Sequence, residues 1–175
     1  VMAVSRNVEL KKGLKDVYFE RTESSFIDGK EGKLLYRGYN IHDLAEHSTF
    51  EETVFLLLEG SLPTQVELDK IDAELRAARE VPDTILQLIS IIKSSHPMDV
   101  LRTTISAMSS LDDDVENNSE DSVKQKGIRM TAVVPTIIAA HHRIRQGDKP
   151  VLPRKDLGHA ANFLYMIFDN EPDLL

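Results

Sequence analysis

The chain has 175 residues, enough for one domain with a real core or for part of a larger one. Its 21 basic and 29 acidic residues give a formal net charge of −8, which removes nucleic acid as a default partner and leaves only local basic patches for anions. There is no cysteine, so disulfides, zinc–thiolate centres and thiol nucleophiles are excluded together.

The first residues, VMAVSRNVELKKG, lack the apolar core and cleavage signature of a secretory signal. Runs such as Val54–Leu58 are far too short to span a membrane. A cytoplasmic location is therefore expected. Residues 1–16 are charged with little apolar periodicity and read as an extended N-terminal arm. The rest, 17–175, reads as one helical domain.

Residues 17–39 alternate weakly and carry Asp28-Gly29 and Gly32, residues suited to a tight hairpin turn. Leu34, Leu35 and Tyr36 supply the returning strand. A lone hairpin is marginal and must lean on helices. Asn40 can cap a short helix over 41–46. Ser48-Thr49-Phe50-Glu51 reads as a capping box, and the helix it opens stops at Gly60. Thr64-Gln65-Val66-Glu67 is a second box, opening a helix to about Arg79 with Leu68, Ile71, Leu75 and Ala78 on one face.

Val81-Pro82 breaks that helix, and Asp83 can cap the next, ILQLISIIKSS. His96 reads as a cap and Pro97 as the first turn of MDVLRTTISAMSSL. Six carboxylates between Asp112 and Asp121 mark a solvated loop; without a turn glycine the stretch does not fit a calcium loop. A long helix is expected over about 122–146, kinked near Pro135 and stopped by Gly147. A last helix is expected over 154–168. With no βαβ alternation and no repeat, the fold class is all-α: multi-helical, with a small N-terminal β-hairpin.

The residues show no complete catalytic constellation. His141 and His142 are adjacent, so on a helix they diverge by about 100° and cannot share a metal. His42, His47 and His159 sit among polar neighbours and read as surface or structural. There is no nucleophile elbow, Walker loop or dinucleotide fingerprint. No catalytic or metal-binding residue is assigned. Arg37, between Tyr36 and Gly38, could clamp an anion, but the reading favoured here is a structural one in which it pins the hairpin to a helix through carbonyl groups.

Taken in order, KGLKDV (12–17), IDGKEGKLLYRGYNIHDLAE (27–46), FEETVFLLLEGSLPTQVEL (50–68), HPMDVLRTTISAMSSLD (96–112), AVVPTIIAAHHRIRQG (132–147) and GHAANFLYMIF (158–168) resemble the N-terminal part of the large domain of citrate synthases of the shorter bacterial and archaeal form. The resemblance implies a mostly helical enzyme, a transferase that condenses acetyl-CoA with oxaloacetate in the tricarboxylic acid cycle. It implies no cofactor, acetyl-CoA being a substrate of the complete enzyme. The family's catalytic histidines and aspartate lie in segments absent from Val1–Leu175, so the chain alone is expected to be inactive. The resemblance also places Lys12, just before a glycine, near the coenzyme phosphates, and implies a homodimer through helices near 98–111 and 122–146. A 2-methylcitrate synthase, a half-enzyme paired with a second chain and a non-catalytic helical dimerisation module are the alternatives.

Overall fold

The computed structural model describes residues 12–14, 17 and 20–172, so most of the expected arm lies outside the described residues. The hairpin becomes a three-stranded antiparallel sheet of β1 (Ser25–Asp28), β2 (Lys33–Tyr36) and β3 (Tyr39–Asn40), in the order β1-β2-β3. The register pairs Ser25 with Tyr36 and Asp28 with Lys33. Asp28 closes the first turn, its Oδ1 accepting the backbone N–H of Lys30 and of Glu31 at 2.9 and 3.1 Å.

The second turn is the Tyr-Arg-Gly-Tyr motif. Arg37 (φ 47°) and Gly38 (φ 90°) are both left-handed, as a two-residue type I′ hairpin requires, and Tyr36 pairs with Tyr39. Only two residues form β3, too few for an alternating pattern to be visible in the sequence.

Seven α-helices follow among the described residues: α1 (Ile41–His47), α2 (Phe50–Glu59), α3 (Gln65–Ala77), α4 (Asp83–Ile91), α5 (Pro97–Met108), α6 (Glu120–Gln146) and α7 (His159–Phe168). Asn40, His96 and Pro97 take the roles expected of them: the side chains of Asn40 and His96 accept the backbone N–H of His42 and Met98, and Pro97 is the first residue of α5. Thr64 and Glu67 form the box at the start of α3.

Three expectations are corrected. The box that opens α2 is Thr49 with Glu52, because the helix starts at Phe50; Ser48 instead ends α1. Asp83 is the first residue of α4 and makes no cap bond; Pro82 precedes it, its fixed φ already set for a helix entry. The last helix starts at His159 rather than 154, because the carbonyls of Arg154 and Leu157 are drawn off to a buried arginine and Gly158 takes the cap position in extended backbone.

The spine of the molecule is α6, whose 27 residues run about 40 Å at 1.5 Å per residue. On one side Ile71 and Leu75 of α3 pack against its Ile128 and Ala132. On another, Ile85 and Ile89 of α4 and Val100 of α5 pack against Val133, Ile137, Ala140 and Ile144. Ala132, Ala139 and Ala140 are all buried, so their small side chains allow close approach within the chain. The helix is apolar on more than one face because neighbours pack against it on several sides. The half-open stripe left over is Met130, Val134 and Ile138, spaced four apart on one face.

Candidate functional site

Lys12 lies in a short 3₁₀ turn, Lys12–Leu14, with Gly13 left-handed at φ 68°. Its side chain is exposed. Arg37 takes the structural role: its Nη2 donates to the Leu57 carbonyl at 3.2 Å, tying the sheet to α2.

The acidic loop after α5 is fastened at several points. Asp112 pairs with Arg129, the Ser122 hydroxyl donates to Asp114 at 2.6 Å, and the Lys126 ammonium donates to the carbonyls of Val115 and Asn117. Among the described residues no three His, Cys, Asp or Glu side chains converge in a geometry that would hold a metal ion.

Polar groups instead meet where α2, α3, α6 and α7 converge. Arg79, just past the end of α3, is only 1% exposed. Its Nη1 donates to the carbonyls of Arg154 and Leu157 at 2.7 and 2.8 Å, and its own carbonyl accepts from the Thr136 hydroxyl at 2.9 Å. The connector 150–158 is thereby held against both α3 and α6. The Nε and Nη2 atoms of Arg79 are buried and unpartnered. Burial, with the positive Arg76 nearby, draws this guanidinium below its ordinary value, against the pull of Asp72 and Glu51.

Beside it, Glu51 of α2 accepts the backbone N–H of His159 at 2.8 Å, the first residue of α7. Because Gly158 has no side chain to cap the helix, a carboxylate 108 residues earlier in the chain does so, favourably placed at the positive helix end. The His159 ring stacks on Phe50 with centroids 4.4 Å apart and planes 8° from parallel. His159 is 7% exposed, and its Nδ1 is buried without a partner. Burial first, and then the charge of Arg79, push its pKa below the ordinary 6.5, with Glu51 opposing, so the ring is neutral at pH 7.

His159 also lines an open depression of about 580 Å³, together with Phe50, Met130, Thr131, Val134, Pro135, Ala160 and Phe163. No residue of this lining other than the neutral His159 is ionisable. A nucleophile with its base, or a pair of carboxylates at working distance, is absent from it, so the geometry supports packing and positioning, and no bond-making step. The sequence reading missed Arg79, treated as the end of a surface helix, and Glu51, assigned to a cap it does not make. Only the Gly158-His159 helix start, lacking a capping side chain, hinted that a cap must come from elsewhere.

A family model described as "Citrate synthase, C-terminal domain" matches residues 13–175. The chain is 45% identical over 162 residues to the citrate synthase of Deinococcus radiodurans, covering 92% of this chain and 43% of that protein. It is 39% identical over 171 residues to the 2-methylcitrate synthase of Mycobacterium tuberculosis, covering 97% of this chain and 43% of that one. The crystal structure of citrate synthase from Pyrobaculum aerophilum superposes with a TM-score of 0.86 at 39% identity, over 93% of this chain and 43% of that chain. A ternary complex of carboxymethyl coenzyme A and oxaloacetate with the citrate synthase of Thermoplasma acidophilum does so with a TM-score of 0.86 at 26% identity, over 95% and 44%. The chain thus spans less than half the length of the relatives it matches.

Proposed function

The chain belongs to the citrate synthase family, and we propose that it is the scaffold part of an enzyme that condenses acetyl-CoA with oxaloacetate to give citrate and coenzyme A. The observation that carries this reading is the match to a citrate synthase at 45% identity over nearly the whole chain. The Thermoplasma relative, of the same fold, binds oxaloacetate and a coenzyme A analogue, which supports the substrate pair.

In this reading a carboxylate outside these residues removes a methyl proton from acetyl-CoA, and a histidine hydrogen-bonds the developing enol oxygen. A second histidine polarises the ketone of oxaloacetate, whose carboxylates arginines hold. Carbon–carbon bond formation gives citryl-CoA, which water hydrolyses. The contribution of this chain is to fix the frame on which those groups sit. Catalysis depends on reacting groups held to fractions of an ångström, and the two packed clusters along α6 tie the helices of this frame together.

Lys12 is the residue proposed to meet the coenzyme phosphates, as a point charge on an exposed turn. Lys12→Gln in the complemented enzyme should raise KM for acetyl-CoA about two- to fivefold and leave kcat unchanged, as expected of an exposed ion pair. The proposed assembly is a cytoplasmic homodimer through α5 and α6, where the exposed Met98 and Ile138 leave apolar surface for a partner.

The 2-methylcitrate synthase match, at 39% identity, keeps propionyl-CoA in view as acyl donor. The test is coenzyme A release with oxaloacetate, comparing acetyl-CoA with propionyl-CoA, after the chain is combined with the part of the Deinococcus enzyme that it does not match. A higher kcat/KM for acetyl-CoA supports the reading; preference for propionyl-CoA moves the chain to the methylcitrate branch.

A further inference from the structure

We propose that the Asp28-Gly29 turn between β1 and β2 is a covalent self-modification site, at which the folded chain isomerises to isoaspartate. The proposal does not depend on the scaffold reading.

The chemistry is a cyclisation of the backbone on a side chain. The Gly29 nitrogen attacks Cγ of the Asp28 carboxyl group and an N–Cγ bond forms. One carboxyl oxygen leaves as water, taking the amide proton and the acid proton of the carboxyl group, and a succinimide remains. Water then adds to either ring carbonyl. Addition at Cγ restores aspartate. Addition at the main-chain carbonyl of Asp28 breaks its bond to the Gly29 nitrogen, so that the chain runs through Cγ. The product is an isomer of the original, and no oxidant or cofactor takes part.

Three pairs in the chain place Gly or Ser after Asp or Asn, the small residues that hinder this attack least: Asp28-Gly29, Asn118-Ser119 and Asp121-Ser122. The structure separates them. The Ser119 N–H donates to Asn117 Oδ1 at 3.0 Å and the Ser122 N–H to Ser119 Oγ at 3.4 Å, so both nitrogens are engaged. The Gly29 N–H enters no hydrogen bond with the described residues. Gly29 is exposed, and a Cβ placed on it would meet no atom within 4 Å, so nothing crowds the attacking nitrogen.

The turn also activates the carboxyl group. Asp28 Oδ1 accepts the N–H of Lys30 and of Glu31, and Oδ2 lies outside both bonds. Attack at Cγ puts negative charge on Oδ1, where two donors are already aimed, and leaves Oδ2 to depart. Isomerisation lengthens the main chain by a methylene and removes this acceptor, which opens the turn. The hairpin stays fastened elsewhere, through the Arg37 N–H on the Ser24 carbonyl at 3.0 Å and Arg37 Nη2 on the Leu57 carbonyl. The modified turn therefore persists in a folded chain, presenting a free α-carboxylate of the kind an isoaspartyl methyltransferase takes as substrate.

Trypsin releases residues 22–30, in which Asp28 is the one aspartate or asparagine, and residues 103–124, which hold Asn118 and Asp121. The purified chain and synthetic peptides of both segments are incubated at neutral pH. Isoaspartate in each segment is then measured by methyltransferase labelling from S-adenosylmethionine. In 22–30 the folded chain should match or exceed the free peptide, while in 103–124 it should fall about fivefold below its peptide, the worth of one ordinary hydrogen bond on the attacking amide. Formation in folded 22–30 about fivefold or more slower than in the peptide overturns the proposal, because the turn would then protect Asp28. A folded 103–124 as reactive as its peptide also overturns it, since the free Gly29 nitrogen would distinguish nothing. D28E, whose longer side chain disfavours ring closure, should abolish labelling of 22–30, and labelling that survives D28E assigns the signal elsewhere and overturns it too.

Discussion

At the scale of single residues, Arg79 and His159 carry most of the information. Arg79 holds two carbonyls of the 150–158 connector from a fully buried position. Arg79→Ala leaves both carbonyls buried and unpaired, which should cost about 2–4 kcal/mol of folding stability in urea titration. A loss within about 0.5 kcal/mol would show that water replaces the guanidinium. His159 makes a pH prediction. Its folded pKa lies below the ordinary 6.5, so as pH falls through 6.5 the unfolded chain takes up a proton before the folded one. The stability it contributes is complete above that value and is lost on acidification, until the folded ring protonates too. Glu52, Asp112 and Asp114, whose hydrogen bonds hold them below 4.5 and 3.8, lose their contribution only at lower pH. His159→Phe keeps the stack on Phe50 and should remove the decline that sets in below pH 6.5. An undiminished decline would assign it to another group. Neither residue was legible beforehand, because burial of a charged or polar side chain is decided by elements distant in sequence, here the connector 75 residues after Arg79.

At the scale of elements, ends are where sequence and structure diverge. Helix faces followed the periodicity well: Ile71 and Leu75 are buried, with Leu68 and Ala78 packed against their cluster. Caps are local but ambiguous when two candidates stand side by side, as Ser48 and Thr49 do; the start at Phe50 decides for Thr49. Thr49→Ala should cost about 1 kcal/mol. Asp83→Ala, which removes no cap bond, should cost at most about 0.5 kcal/mol through the helix dipole. Equal losses would refute the assignment of caps. Glu51→Ala should cost about 1 kcal/mol and speed amide exchange in the first turn of α7 while leaving α2 unchanged. The type I′ turn at Arg37-Gly38 was hidden by the brevity of β3, and the late end of the connector by a bond to Arg79.

At the scale of the whole molecule, the all-α architecture and the family were legible, since six ordered motifs from KGLKDV to GHAANFLYMIF span nearly the whole chain. What the sequence could not separate is whether an apolar helix faces its own chain or a partner. The alanines of α6 face inward; Val134 and Ile138 stay partly or fully open. Of these, Ile138 belongs to the proposed dimer face, and Ile138→Lys should shift sedimentation toward monomer with little change in helix content. The account depends most on a division of labour, a frame in this chain and reacting groups outside it. The direct measurement is coenzyme A release from acetyl-CoA and oxaloacetate, first by the purified chain alone and then with the unmatched part of the Deinococcus enzyme added. The account predicts no turnover by the chain and measurable turnover by the pair; turnover by the chain alone, or none by a pair shown to bind, would contradict it.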